Sequence, residues 1–279
     1  FGLVPESQIE NLTIDFEGIS SWIYSRLPTV DDPGPKVSQI YGPFGSGKTH
    51  AMSIIRHVSR SNEYVTARVE VDGSTISLSD PQAFLYSLWS TLSAKELAPF
   101  TPLLELCRTA IAKRHPAPRV VPRDIGIIDR VHDNYETVAL LKRPEVLDDF
   151  GYMLNAVMSS SKDFTASDVA LEISREDSIN ALSVKVRPMI GRLIEDRPTD
   201  FLATLLGYAK LTSLAGYKGL VITVDEFEVE YNNRQNFDRV EAILDKFEDY
   251  WLGDTNHPDV PIAMFFGSVA TEGSRGDRL

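Results

Sequence analysis

The chain has 279 residues, 43% hydrophobic and 24% charged, which is typical of a soluble globular protein. Its formal net charge of −12 disfavours non-specific nucleic-acid binding, although a local basic patch could still bind it. No apolar run is long enough for a transmembrane helix, and no signal peptide or histidine metal-ligand spacing is present. The single cysteine, Cys107, excludes an internal disulfide and is expected to be a buried thiol. We therefore expect a cytoplasmic protein that does not bind membranes. Because it begins with Phe1 and not Met, we also expect it to be excised from a longer protein.

The first predicted elements are a strand, a Gly-rich loop and a helix. "KVSQIYG", residues 36–42, is a short β-prone run that ends in the loop. After the loop, Met52, Ile55 and Val58 recur at helical spacing. The loop therefore joins a strand to a helix, which is the setting its motif requires.

The next two elements are an alternating strand and a capped helix. Residues 64–73 alternate apolar side chains with Thr66, Arg68 and Glu70, which predicts an edge strand with one polar face. Asp80 is then placed to cap a helix whose first position is Pro81.

Residues 97–215 are mostly helical in pattern and hold no convincing strand series, so we interpret them as a helical insertion. Residues 112–124 interrupt the pattern with three prolines and four Lys or Arg. This stretch is a solvated loop or, alternatively, a contact loop for nucleic acid or a partner. The last helix of the region is expected to start after a Thr199 cap and to stop at Gly216.

Two fully apolar strands and a helix complete the pattern. Residues 220–224 and 260–271 have the continuous apolar composition of strands buried on both faces. Residues 236–253 between them form an amphipathic helix. Strands separated by helices indicate an α/β fold with a parallel sheet flanked by helices and one large helical insertion. The Gly-rich loop between the first strand and its helix is typical of the P-loop NTPase form of this fold.

The Gly-rich loop fits the phosphate-binding pattern G-x-x-x-x-G-K-[ST]. Its glycines let backbone N–H groups turn inward, and the following helix directs its positive dipole end at the same anion. Lys48 can reach the β- and γ-phosphates, and the Thr49 hydroxyl can ligate Mg²⁺. The residues expected to bind the nucleotide are Gly42, Pro43, Phe44, Gly45, Ser46, Gly47, Lys48, Thr49 and His50.

Acidic side chains follow the first fully apolar strand. Asp225 is the candidate second Mg²⁺ ligand, because α/β sheets bind ligands at the carboxyl ends of their strands. Glu226 is the candidate base that polarises the attacking water, with an ordinary exposed acid as the alternative. Glu228 and Glu230 are expected to form a solvated face.

Polar and basic residues follow the last strand. Ser268 is the first candidate for a side chain that senses the γ-phosphate, and Thr271 is the second. Arg275 and Arg278 lie just beyond, and either could serve a neighbouring subunit as an arginine finger. A plain surface arginine is an equally good interpretation of each.

The loop, the Asp-Glu strand and the polar-tipped last strand, in this order, resemble the AAA+ ATPases. "LAGYKGLVITVDEFE", residues 214–228, is similar to a segment in P-loop ATPases of BREX-type phage-defence operons, a group near the origin-recognition branch. "FFGSVATEG", residues 265–273, resembles that family's sensor strand, with Ser268 at its small polar position. The resemblance implies ATP as the nucleotide. It also implies that the sensor strand lies between the loop strand and the Asp-Glu strand, with the alternating strand at the edge.

These features predict a single AAA+-like ATPase domain over residues 1–279 that hydrolyses ATP with Mg²⁺. Lys48, Glu226 and Ser268 are its expected catalytic residues. The expected role is remodelling in a DNA-associated phage-defence complex, with a homo-oligomer or other defence subunits as partners. Any nucleic acid would bind through patches or other domains. The alternative is a signalling or assembly switch with slow hydrolysis and no direct work on DNA.

Overall fold

A computed structural model describes residues 8–95, 106, 109, 198–232, 237–248 and 260–269. The chain divides into two compact units. The first contains Phe1–Glu96 with Tyr217–Leu279, and the second contains Leu97–Gly216. The organisation as one ATPase domain with an insertion at about 97–215 stays a prediction.

The first unit is built on a four-stranded parallel sheet. Its strand order is β1-β4-β3-β2, so β4 lies between β1 and β3, and β2 is at an edge. The prediction of an α/β P-loop NTPase fold is confirmed, as is the strand order that the family resemblance implied. The strands are β1 Lys36–Gly42, β2 Val65–Glu70, β3 Leu220–Asp225 and β4 Ile262–Val269.

The central strands are buried as their continuous apolar sequences predict. Every residue of β3 is buried, and so are the first seven residues of β4.

The described helices are α1 Ile9–Leu12, α2 Phe16–Tyr24, α3 Lys48–Ser61, α4 Pro81–Thr91, α5 Pro198–Leu214, α6 Glu228–Asn232 and α7 Phe237–Phe247. Of these, α5 belongs to the second unit.

Helices cover both faces of the sheet. On one face, Met52 and Ile55 of α3 join Phe265 of β4 in a core cluster that also holds residues of the N-terminal segment. On the other face, Phe247 of α7 packs edge-on against Phe266 of β4, with ring centroids 6.3 Å apart. Adjacent residues of one strand therefore anchor the two helical layers, because successive side chains point to opposite faces.

A buried arginine also connects α3 to the sheet. Arg56 is 6% exposed and donates hydrogen bonds of 3.0 Å to Thr223 Oγ1 of β3 and to Ser53 Oγ. The helix that follows the Gly-rich loop is thereby held against the strand that ends in Asp225.

The edge strand β2 is less polar on its surface than the sequence predicts. Thr66 is only 1% exposed, because residues after α4 cover this edge. Thr66 and Ser93 exchange two backbone hydrogen bonds of 2.8 Å in an isolated antiparallel bridge. Glu70 is exposed as expected, so the predicted polar face is correct at Glu70 and wrong at Thr66.

The ends of two helices test the predicted caps. Asp80 Oδ1 accepts the Ala83 N–H at 3.1 Å and Pro81 opens α4, which confirms the first cap. In the second unit, α5 begins at Pro198, so the predicted Thr199 cap is wrong and Thr199 lies in the first turn. That helix stops before Gly216, as predicted, and Gly216 has a φ of 89°.

Within the described ranges, no helix has the length and apolar character needed to cross a membrane.

Candidate functional site

The Gly-rich loop joins β1 to α3 at the carboxyl edge of the sheet. Gly45 and Gly47 have φ values of 78° and 92°, a left-handed conformation that side chains with a Cβ rarely adopt. The Ser46 N–H donates to the Pro43 carbonyl at 3.1 Å, which closes the turn. Pro43 to Gly47 are exposed, so the loop is open to a ligand in solution.

The N-terminus of α3 faces this loop. Gly47 occupies the cap position, and no described side chain forms a capping hydrogen bond there. Lys48 Nζ lies 3.3 Å from the Gly42 carbonyl oxygen and 3.4 Å from that of Pro43, so its ammonium group is held across the start of the loop. Backbone N–H groups, the helix dipole and this cation are the features that suit an anion such as phosphate.

The two residues after Lys48 have different surroundings. Thr49 is exposed in the first turn of α3. His50 Nε2 lies 3.0 Å from Thr13 Oγ1, which joins the loop helix to the N-terminal segment after α1. The predicted nucleotide contacts of residues 42–50 stay a prediction.

Asp225 ends β3 beside Gly267 of β4. The carboxyl group is 4% exposed, and its Oδ1 accepts the Glu226 N–H at 3.1 Å. A Cβ on Gly267 would lie 3.1 Å from the same oxygen and 2.8 Å from Met52 Cε. Asp225 therefore points to the face covered by α3, the helix that carries Lys48 and Thr49.

Glu226 has an unusual backbone and a perturbed carboxyl group. Its φ is 58°, in the left-handed region that a residue with a Cβ seldom occupies. Burial raises the pKa of Glu226, and the neighbouring Glu228 and Asp225 raise it further, while the charge of Lys48 acts to lower it. Met52 of α3 and Asp225 both lie against Gly267, so the helix that follows the loop and the Asp-Glu turn meet at one place.

The predicted solvated face at Glu228 and Glu230 is wrong. Glu228 is half-buried and contacts the Glu226 carboxyl group, and its Oε2 is buried without a hydrogen-bond partner among the described residues. Glu230 is 0% exposed and accepts hydrogen bonds from Ser77 and Leu78. Both acids lie on the short helix α6, on sides of the helix that are covered by the rest of the fold.

Ser268 lies near the carboxyl end of β4, paired with Tyr41 of β1. It is 4% exposed, and its Oγ accepts a 2.9 Å hydrogen bond from Gln39 Nε2. Gln39 was not among the predicted site residues. In the sequence Gln39 is a polar residue within a β-prone run. Its contact with Ser268 follows from the pairing of β1 with β4, which the structure shows. The sensing role of Ser268 stays a prediction.

The donors at this site suit Mg²⁺, which takes oxygen ligands and is usually bound through one or two carboxylates, phosphates and water. Thr49 would supply a hydroxyl and Asp225 a carboxylate. Across the residues that the structure describes, no three His, Cys, Asp or Glu side chains form a metal-binding group. A cation here would accordingly depend on the nucleotide phosphates for further ligands.

The structure brings most of the predicted residues to one edge of the sheet. In the parallel register Gly42 pairs with Val269, and Asp225 lies against Gly267, so the ends of β1, β4 and β3 are adjacent. Several predictions fall outside the described residues: the buried thiol of Cys107, the contact loop at 112–124, the second sensor candidate Thr271, and the arginine-finger candidates Arg275 and Arg278.

The chain matches the model of a known protein family. The family model of the BREX system ATP-binding protein BrxC/D matches residues 1–256. No curated protein and no solved structure matches the chain. Since the matched range covers most of the sequence, the chain belongs to the family of BREX system ATP-binding proteins BrxC/D.

Proposed function

We propose that this chain binds ATP together with Mg²⁺ at the carboxyl edge of the sheet and hydrolyses it. The observation that carries the proposal is the position of Asp225, which is buried against Gly267 beside Met52 of α3, because it brings together two motifs far apart in sequence. Family membership supports ATP as the nucleotide and phage defence as the setting. A cytoplasmic location is part of the same proposal.

Each residue has a distinct task in this scheme. Backbone N–H groups of residues 44–49 and the Lys48 ammonium group hold the phosphates. Thr49 and Asp225 hold Mg²⁺, which when bound neutralises charge on the phosphate oxygens. Phe44, within the loop, and His50, directly after Thr49, complete the nucleotide contacts.

Glu226 accepts a proton from the attacking water as that water approaches the γ-phosphate. Burial and neighbouring acids make its carboxylate a stronger base than an exposed glutamate, because both disfavour the charged form. Ser268 donates its hydroxyl proton toward the γ-phosphate while its oxygen accepts from Gln39. The arginine-finger candidates Arg275 and Arg278 would supply positive charge to the site of an adjacent subunit.

Two uses of the hydrolysis are proposed. In the first, conformational change remodels a DNA-associated defence complex, in which the protein works as a homo-oligomer or with other subunits. In the second, ATP binding assembles a signalling complex and slow hydrolysis resets it. The net charge of −12 favours the second, or a remodeller whose DNA contacts lie on other domains or partners.

ATP turnover by the full-length protein, with and without duplex DNA, tests the proposal and separates its two forms. We expect Mg²⁺-dependent turnover that Lys48→Ala abolishes by preventing ATP binding. Strong stimulation by DNA supports remodelling, and slow turnover unaffected by DNA supports the switch. Unchanged ATP affinity in Lys48→Ala would refute the phosphate-binding role of the loop.

A further inference from the structure

Glu230 of α6 is a fully buried acid with partners in a distant part of the sequence. Its side chain is 0% exposed. One carboxylate oxygen accepts the Ser77 hydroxyl at 2.9 Å, and the other accepts the Leu78 N–H, 152 residues away. Burial raises the pKa of Glu230, and these two hydrogen bonds act in the opposite direction. The carboxylate thus fixes α6 to the chain between β2 and α4, residues 71–80.

Two further contacts join the same elements. The Val71 N–H donates to the Asp225 carbonyl at 3.1 Å, so residues 71–80 leave β2 beside the predicted metal ligand. A Cβ on Gly73 would lie 2.6 Å from Val229 Cγ1, which shows how closely this segment approaches α6. Segment 71–80 therefore packs against α6 at Val229 and Glu230.

Segment 71–80 has an ordered, exposed tip. The Asp72 carboxylate accepts the N–H groups of Ser74, Thr75 and Ile76 at 2.9, 2.6 and 2.9 Å. These hydrogen bonds hold the pKa of Asp72 well below its ordinary value. Asp72, Ser74 and Thr75 are exposed, whereas Ser77 and Leu78 are buried. A displacement at the buried end would consequently move the tip as a unit.

A short hydrogen-bonded turn connects Glu230 to Glu226. The Val229 N–H donates to the Glu226 carbonyl and the Glu230 N–H to the Phe227 carbonyl, both at 3.1 Å. The Phe227 N–H also donates to the Gly267 carbonyl of β4 at 2.9 Å. Backbone hydrogen bonds thus connect Glu226 and Glu230 within about one helical turn.

We propose that Glu230 is a positioning residue that ties the turn carrying Glu226 to segment 71–80, so that the exposed tip of this segment responds to the bound nucleotide. This inference rests on the proposed function, since it requires ATP to bind beside Glu226. The part of the surface that then changes with the nucleotide state is the tip made of Asp72, Ser74 and Thr75.

Hydrogen exchange of the full-length protein, with and without Mg²⁺ and a non-hydrolysable ATP analogue, tests this role. Glu230→Ala removes both acceptors, whereas Glu230→Gln can accept from Leu78 and donate to Ser77. Glu17→Gln makes the same chemical change as Glu230→Gln, but at an exposed position of α2, and is the control. We expect nucleotide to change amide exchange at residues 42–51 in all four proteins. At residues 72–79 the change should occur in the wild type, Glu230→Gln and Glu17→Gln and be lost in Glu230→Ala.

Two results overturn the inference: a nucleotide-dependent change at 72–79 that survives in Glu230→Ala, or its absence from the wild type while 42–51 responds. No response at 42–51 in the wild type would instead refute the proposed function. If Glu230→Ala does not fold, Ser77→Ala replaces it, because it removes the Ser77–Glu230 hydrogen bond together with the two bonds from Ser77 Oγ to Ser79, and Ser79→Ala, which removes only the hydroxyl–hydroxyl bond of that pair, is its control. A reduced response at 72–79 in Ser77→Ala supports the role of Glu230, and an unchanged response overturns it.

Discussion

Gly267 leaves room for two side chains that meet at the end of β4. Asp225 approaches from β3 and Met52 from α3, and both would contact a Cβ at this position. The glycine is therefore explained by space, since its φ is not among the positive values of the chain. The position of Asp225, the proposed metal ligand, therefore depends on the absence of a Cβ at Gly267.

Gly267→Ala should displace Asp225 or Met52 and lower the free energy of unfolding by about 1–3 kcal/mol. Urea unfolding measures the stability, and Mg²⁺-dependent ATP turnover measures the displacement of Asp225. Gly34→Ala is the control, because a Cβ on Gly34 would meet nothing within 4 Å. Equal stability and turnover in the two variants would contradict the packing described here.

At the scale of elements, the edge of β2 that does not pair with β3 is covered by the end of α4 and the residues after it. The Thr91 hydroxyl accepts the Arg68 N–H at 3.0 Å and lies 2.6 Å from the Arg68 carbonyl oxygen. Together with the bridge to Ser93, this side chain occupies backbone groups that could otherwise pair with another chain.

Thr91→Val keeps the shape of the side chain and removes its hydroxyl. We expect the free energy of unfolding to fall by about 1–3 kcal/mol, since the Arg68 backbone groups lose their partner at a partly buried position. Chemical denaturation gives this value. Ser21→Ala, which removes an exposed hydroxyl bonded within α2, should have a much smaller effect. A loss in Thr91→Val no greater than that in Ser21→Ala would show that the hydroxyl does not hold this edge.

The strands and the loop could be predicted because their signals are local. The apolar runs of β3 and β4 and the glycine spacing at 42–47 can be identified within about ten residues of sequence. Their order in the sheet required the family resemblance. The burial of Thr66 and Glu230 could not be predicted, because Ser93, Ser77 and Leu78 reach them only through the tertiary fold. For the same reason Gln39, the partner of Ser268, was missed.

Across the whole molecule, the site is assembled from segments at opposite ends of the chain. Residues 42–49 and residues 225–268 belong to one compact unit, and Leu97–Gly216 form another. Family membership fixes the ATP-binding character of the chain. Hydrolysis of that nucleotide requires a proton acceptor, and a single isosteric substitution at Glu226 removes the proposed one.

The most direct test is ATP binding and single-turnover hydrolysis by Glu226→Gln in the full-length protein. The substitution removes the proton acceptor and leaves the loop, Lys48, Thr49 and Asp225 in place. We predict that ATP affinity stays close to that of the wild type while hydrolysis slows about 10²–10⁴-fold, the usual contribution of a general base. Hydrolysis at the wild-type rate by Glu226→Gln, with ATP bound, would contradict the role of Glu226 as the proton acceptor.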